Sequence, residues 1–301
     1  MTTPSGGGLA PIDRWTLGYA ILAAAVIVWR RPDVRLLPVL AAHAVLVALT
    51  LLMPHARRAG RAGRVLGDWY PLLIVTALYT EIGVVNTADG RMYDRIVQGW
   101  EQALFSFQPA REWIRHQPWP WLSWVLHLGY IAYYPIVVGA PLALWLAGRP
   151  QAMQRVLTSI MATFYVCYVF FLLFPVAGPR DAFAAADNAA TATAIARWTQ
   201  QLLDGLAAWG AAFPSSHVAV SVTATVAALR EWRGLGYALV TPTALLALGA
   251  VYGQFHYAVD VVAGLGVAAV VAVGDRLVRP RLTGAADDAA GMDARPESSH
   301  V

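Results

Sequence analysis

Apolar residues in this chain do not alternate with polar ones. They come in blocks of roughly 16 to 27, close to the about 20 residues that cross a bilayer as helix. The blocks fall at 15–30, 36–53, 69–86, 121–147, 153–174, 215–230, 235–252 and 257–278. This pattern predicts an all-α fold, a polytopic transmembrane helix bundle of about eight spans. Pro32 and Pro38 crowd the junction of the first two blocks. Two further stretches are amphipathic. Met92, Ile96, Trp100 and Leu104 recur at helical spacing within 90–107, and Ile195, Trp198, Leu202 and Trp209 do so within 175–213. Both predict helices lying in the headgroup plane. Trp113, Trp119, Trp121 and Trp124 suit an aromatic belt at the same interface.

Composition agrees with the pattern. Of 301 residues, 58% are hydrophobic and 13% charged, against about 25% charged in soluble domains. The net charge of +4 comes from arginine alone, since the chain has no lysine. The arginines are scattered among apolar blocks and form no basic stripe, which argues against nucleic acid and for a membrane and its lipids as partners. The single cysteine, Cys167, forms no intrachain disulfide. The first residues lack a basic segment followed by an apolar core, so the first block is expected to stay as a span. The division expected is 1–89 as N-terminal spans, 90–280 as the chemistry-bearing membrane domain and 281–301, small and polar, as a disordered tail. Oligomeric state leaves no mark in the sequence.

Eight spans place both termini on one side. Arg57, Arg58, Arg61, Arg64, Arg149, Arg155, Arg230, Arg233, Arg276 and Arg279 collect there, which makes that side cytoplasmic in a multi-pass cell-membrane protein. His217 starts the sixth block and His256 just precedes the eighth. Two crossings separate them, so both lie on the extracytoplasmic face. Asp260 follows His256 by one helical turn and shares its helix face. A carboxylate there accepts from Nδ1–H and leaves Nε2 as nucleophile or base. Ser215 and Ser216 follow Pro214 at a helix start, where free amides and the dipole favour an anion. Arg180, in "FPVAGPRDAF", offers a planar fork for phosphate. Together these parts suit phosphoryl transfer.

"FPSSH" followed by "YGQFHYAVDVVAG" resembles the second and third motifs of the type 2 phosphatidic acid phosphatase superfamily, written P-S-G-H and S-R-x5-H-x3-D after a first motif K-x6-R-P. "HYAVD", "GPR" at Arg180 and "YDRIVQGWEQALFSFQP" are most similar to its inositolphosphotransferase-like branch, which includes inositol phosphorylceramide synthases. The resemblance covers roughly 90 to 278. It implies a lipid phosphate phosphatase or phosphotransferase acting on phospholipid headgroups, without cofactor or metal. His256 would be the nucleophile that becomes phosphohistidine, Asp260 its orienter and His217 the proton donor to the leaving alcohol. Ser215, the Ser216 backbone and Arg180 would hold the phosphoryl oxygens. The chain departs from the pattern where Ala250 stands for the third-motif arginine, Leu173 for the first-motif lysine, Ser216 for the second-motif glycine and "PR" for "RP". Arg91 or Arg95 could supply a missing cation.

Glu81 and Asn86, in "LYTEIGVVN", are candidates for headgroup or acceptor binding, since an acidic group in a span marks function by default. A buried partner for an arginine or histidine is the other reading. His127 and Tyr134 are weaker substrate-contact candidates, with a satisfied core group as the other reading of His127. Tyr130, Tyr133 and Tyr134 suit interface or packing positions, with lining the pocket as the other reading. Three rivals compete with the main reading. A metal could sit on His217, His256 and Asp260. Ser216 and His256 could serve a serine hydrolase, though no G-x-S-x-G elbow is present. The missing cations would also suit an inactive scaffold or lipid carrier.

Overall fold

A computed structural model of the chain describes residues 8–30 and 36–292. Six described helices are long and apolar enough to cross a bilayer: α1 (Pro11–Arg30), α2 (Leu36–Arg58), α3 (Arg61–Asp89), α8 (Pro150–Leu173), α12 (Arg233–Tyr252) and α13 (Ala258–Met292). The predicted block 121–147 is two helices, α6 (Pro120–Ile131) and α7 (Tyr133–Leu146), meeting at 43° and making a seventh span if counted together. The break has a sequence cause. Pro135 has no N–H to give the carbonyl of Ile131, where α6 ends.

The remaining predicted span is α11 (Ser216–Glu231), only 16 residues long. It is short because it need not match a lipid layer by itself. α7, α8, α12 and α13 surround it, and Val218, Ala219, Val220, Ala224 and Ala228 have no exposed surface. Two of its threonine hydroxyls are satisfied within the bundle: Thr223 accepts from Thr163 at 3.0 Å, and Thr225 pairs with Thr243 at 2.7 Å. The fold is therefore the all-α multi-pass bundle that the block pattern predicts. The Pro32 junction lies outside the described residues, as does the tail from 293 on, whereas α13 runs on to Met292.

Two features fix the packing. α6 and α12 cross at glycines: a Cβ on Gly249 would lie 2.1 Å from the Leu126 carbonyl oxygen, and one on Gly129 would lie 2.7 Å from Leu245 Cβ. At the end of the bundle where α1 begins, Asp13 is fully buried. It takes two hydrogen bonds from Arg57, at 2.7 and 2.9 Å, and one from the Tyr70 hydroxyl at 2.9 Å. This pins α1, α2 and α3 together.

At the other end lie the amphipathic helices α4 (Asp94–Phe105), α5 (Pro109–His116) and α10 (Ala194–Leu206), with one turn, α9 (Pro179–Ala182), between the last two. α4 buries Val97 and Glu101 and exposes Ile96, Trp100 and Leu104. α10 buries Ile195, Thr199 and Leu203 and exposes Trp198 and Leu206. Trp119, Trp121 and Trp124 are exposed beside them. Such a one-sided distribution suits a helix lying on a lipid surface.

Candidate active site

The site forms where α11 and α13 begin. Ser215 caps α11, its Oγ accepting from Val218 N–H at 3.4 Å. Its own N–H donates to the Asp260 carbonyl at 3.0 Å, tying the two helix starts together. A Cβ on Gly264 would meet the Ser215 carbonyl at 2.7 Å, so this approach depends on glycine. His217 is the second residue of α11, and His256 sits in the turn between α12 and α13. Parity along the chain brings the two rings together: His256 Nε2 lies 3.5 Å from His217 Nδ1.

The other His256 nitrogen has a definite partner. Nδ1 lies 3.0 Å from the Ala212 carbonyl oxygen and 3.5 Å from Asp260 Oδ2. A carbonyl only accepts, so Nδ1 carries the proton and Nε2 presents its lone pair towards His217. Asp260 is fully buried; its Oδ2 accepts from Tyr257 N–H at 2.8 Å, and its Oδ1 has no hydrogen-bond partner. The expected orienter is thus adjacent to the ring, while the closer bond comes from a backbone carbonyl. His217 is sandwiched by aromatic rings, with Tyr130 at 5.2 Å and Tyr133 at 4.3 Å between centroids.

Both histidines line a cavity of about 110 Å³ together with Tyr79, Tyr130, Arg180, Asp181, Trp209 and Phe255. Arg180 is the only guanidinium among the described residues lining it, and it pairs with Asp204 at 3.2 Å. Burial raises the Asp181 carboxyl above its ordinary value, with the Arg180 charge opposing that rise. A larger groove of about 590 Å³ lies between α1 and α8, lined by Arg14, Trp15, Tyr19, Tyr165 and Phe170, and contains no candidate residue.

The other candidates scatter. Ser215 and Ser216 stand at the α11 start but do not line the cavity. Glu81 faces His43 at 3.8 Å. Asn86 donates to the carbonyls of Phe171 and Trp209, both at 3.2 Å, and accepts from Arg30 at 3.1 Å. Asn86 thus holds the loop carrying Trp209, behind the cavity. Arg91 pairs with Asp89 at 2.9 Å, and neither it nor the exposed Arg95 reaches the cavity. His127 bonds to the Ser123 carbonyl at 2.8 Å, and Tyr134 is outside the lining. Tyr79, Trp209, Phe255 and the Ala212 carbonyl line or hold the site although the sequence reading gives none of them a site role. Tyr130 and Tyr133 had one usable signal, their place beside Pro135 at the break in a span.

Similarity to known proteins agrees with this geometry. No curated protein and no solved structure matches the chain. The family model of the PAP2 superfamily, however, matches residues 95–274, well over half of the sequence, including Arg180, His217, His256 and Asp260. The chain belongs to the PAP2 superfamily.

Proposed function

We propose that the protein is a membrane-embedded phosphatase or phosphotransferase that works on lipid phosphate headgroups through a phosphohistidine on His256. One observation carries the reading: His256 Nε2 faces His217 across 3.5 Å while its Nδ1 is tied back to a carbonyl at 3.0 Å. Nε2 attacks phosphorus in line, the bond from phosphorus to the lipid or headgroup oxygen breaks, and His217 gives that oxygen a proton. In the second step His217 takes a proton from water or an alcohol, whose oxygen attacks phosphorus and frees His256. Positioned proton transfer contributes about 10²–10⁴-fold, and the covalent intermediate divides one high barrier into two lower ones. Arg180 neutralises the phosphoryl oxygens, and the positive dipole end of α11, whose His217 lines the cavity, favours them. Arg57, Arg64, Arg155 and Arg230 cluster towards the opposite end of the spans, which supports an extracytoplasmic site.

A finer reading, transfer of the phosphoryl-containing part of a phospholipid to inositol or another alcohol so that a new lipid forms, has its own support. With Leu173 and Ala250 where the family pattern has cations, Arg180 is left as the guanidinium in the cavity lining. One guanidinium balances the single charge of a phosphodiester, whereas a phosphomonoester carries nearly two. The serine-hydrolase rival loses support, because Ser216 is buried and away from the lining.

The test uses purified protein with headgroup-phosphate-labelled phospholipids, with and without inositol. Label released as free phosphate from a lipid phosphomonoester, or as a phosphomonoester from a phosphodiester lipid, marks hydrolysis, and label in a new phosphodiester lipid marks transfer. His256→Ala and His217→Ala should each lower turnover by at least about 10³-fold, and only the former should abolish an acid-labile, alkali-stable phosphoenzyme. Full activity in His256→Ala refutes the nucleophile, and chelator-sensitive activity favours the metal rival.

A further inference from the structure

Beside the Arg180 loop stands a carboxylate to which the sequence reading gives no role, although it lies in "YDRIVQGWEQALFSFQP". Asp94 opens α4, and its oxygens accept from three donors on two separate segments. The N–H groups of Ala177 and Gly178 reach Oδ2 and Oδ1 at 2.9 Å each, and the Tyr257 hydroxyl reaches Oδ1 at 3.0 Å. Gln98, one turn along α4, donates to that same hydroxyl at 2.9 Å. Each contact leads to the chemistry by a short path. Arg180 lies two residues beyond Gly178, and Tyr257 is the residue after His256. A third path runs through the backbone. The residue before Ala177, Val176, accepts at its carbonyl from Ala212 N–H at 2.9 Å, and the Ala212 carbonyl is what holds His256 Nδ1.

We infer that Asp94 is a positioning residue for phosphoryl transfer, its carboxylate setting the spacing between the Arg180 loop and the His256 segment. The inference rests on the function proposed above. An in-line attack needs the guanidinium on the phosphoryl oxygens while Nε2 lies on the axis of the breaking bond, and displacement by about 1 Å costs on the order of 10²-fold. Only a carboxylate fits the three donors. An asparagine amide has one acceptor oxygen, and its NH₂ would face an N–H of the loop. The bland alternative is that Asp94 merely anchors α4, favoured by the helix dipole at its first turn. Anchoring alone predicts lost stability with unchanged turnover per folded molecule.

Two measurements on the full chain in phospholipid nanodiscs separate these. Amide hydrogen exchange reads the clamp directly and needs no turnover. Asp94→Asn should speed exchange at Ala177 and Gly178 by about ten- to a hundredfold, with amides of mid-α8 unchanged. The second is a cycle of kcat/KM on a headgroup-labelled phospholipid. Asp94→Asn should cost about ten- to a hundredfold beside wild-type Arg180 but less than about threefold in an Arg180→Gln background. If Asp94→Asn does not fold, Tyr257→Phe removes one of the three bonds and should show the same non-additivity on a smaller scale. Additive losses, or unchanged exchange at Ala177 and Gly178, overturn the inference. A wild-type protein inert towards every labelled lipid sinks the functional reading instead, and the exchange result alone then decides whether Asp94 holds the loop.

Discussion

Glu101 offers a perturbation whose sign and size follow from the structure. It lies on the buried face of α4 with no exposed surface, and its carboxylate meets backbone N–H groups, those of Ala110 and Val259 at 3.4 Å each and that of Ala258 beside them. Burial pushes its pKa from an ordinary 4.5 up to about 7, the backbone amides oppose that rise, and the nearby charge of Asp260 adds to it. A carboxyl raised in this way is a liability when ionised. Below pH 4.5 it is neutral whether the chain is folded or not, so it costs nothing. Between 4.5 and about 7 the unfolded chain releases the proton while the folded chain keeps it, and stability falls as pH rises. Above 7 the loss is complete. A change from 4.5 to about 7 corresponds to about 3 kcal/mol, and relaxation around the charge reduces this to about 1–3 kcal/mol. Glu101→Gln keeps the shape and removes the titration. Thermal unfolding of the purified protein from pH 4.5 to 8.5 should show this share of the decline in wild type and not in the variant. Above pH 7 the variant should unfold at a temperature higher by roughly 2–4 °C for each kcal/mol. Parallel pH profiles for the two proteins would show that Glu101 is not held neutral by burial, and the reasoning would be wrong.

Two further substitutions test the packing. Gly249→Ala places a methyl 2.1 Å from the Leu126 carbonyl and should destabilise the bundle by about 1–3 kcal/mol, whereas Gly139→Ala, which meets nothing within 4 Å, should unfold within about 0.5 kcal/mol of wild type. Asp13→Ala leaves the Arg57 guanidinium with Asp68 at 3.4 Å as its remaining carboxylate and the Gly67 carbonyl at 2.6 Å, and should cost about 2–4 kcal/mol of stability. Turnover per folded molecule should not change, because this cluster joins the starts of α1 and α3 while the histidines lie at the other end of the bundle.

The sequence was legible where one residue type carries one meaning. Apolar blocks mark spans because lipid forces backbone bonding within each helix. Two histidines at block ends must share a face when an even number of crossings separates them, and the 3.5 Å between their rings follows that logic. Legibility stopped where function passes to the backbone or to a side chain's second neighbour. The bond on His256 Nδ1 comes from Ala212, whose side chain says nothing about its carbonyl. Arg91 has the charge and the side of the membrane that the missing cation needs, yet Asp89, two residues away, takes it. Glu81 is the acid in a span that pattern reading singles out, and it faces His43 rather than the cavity. In each case a nearer partner, invisible to spacing rules, satisfies the group first.

The missing third-motif cation has a local cause in the packing. Ala250 has no exposed surface, and its carbonyl accepts the N–H groups of both Phe255 and His256, at 3.0 and 2.9 Å. It therefore sets the turn that delivers His256, one residue after the glycine that lets α12 touch α6. A long cationic side chain at that fully buried position would have to displace the residues packed around it. With Leu173 partly exposed at the end of α8 rather than in the lining, the electrostatic work of the cavity falls on Arg180. Arg180 sits on a single helical turn too short to hold itself in place. A loop that must position a lone cation needs an outside support, and the three donors gathered on Asp94 supply one from the amphipathic helix α4.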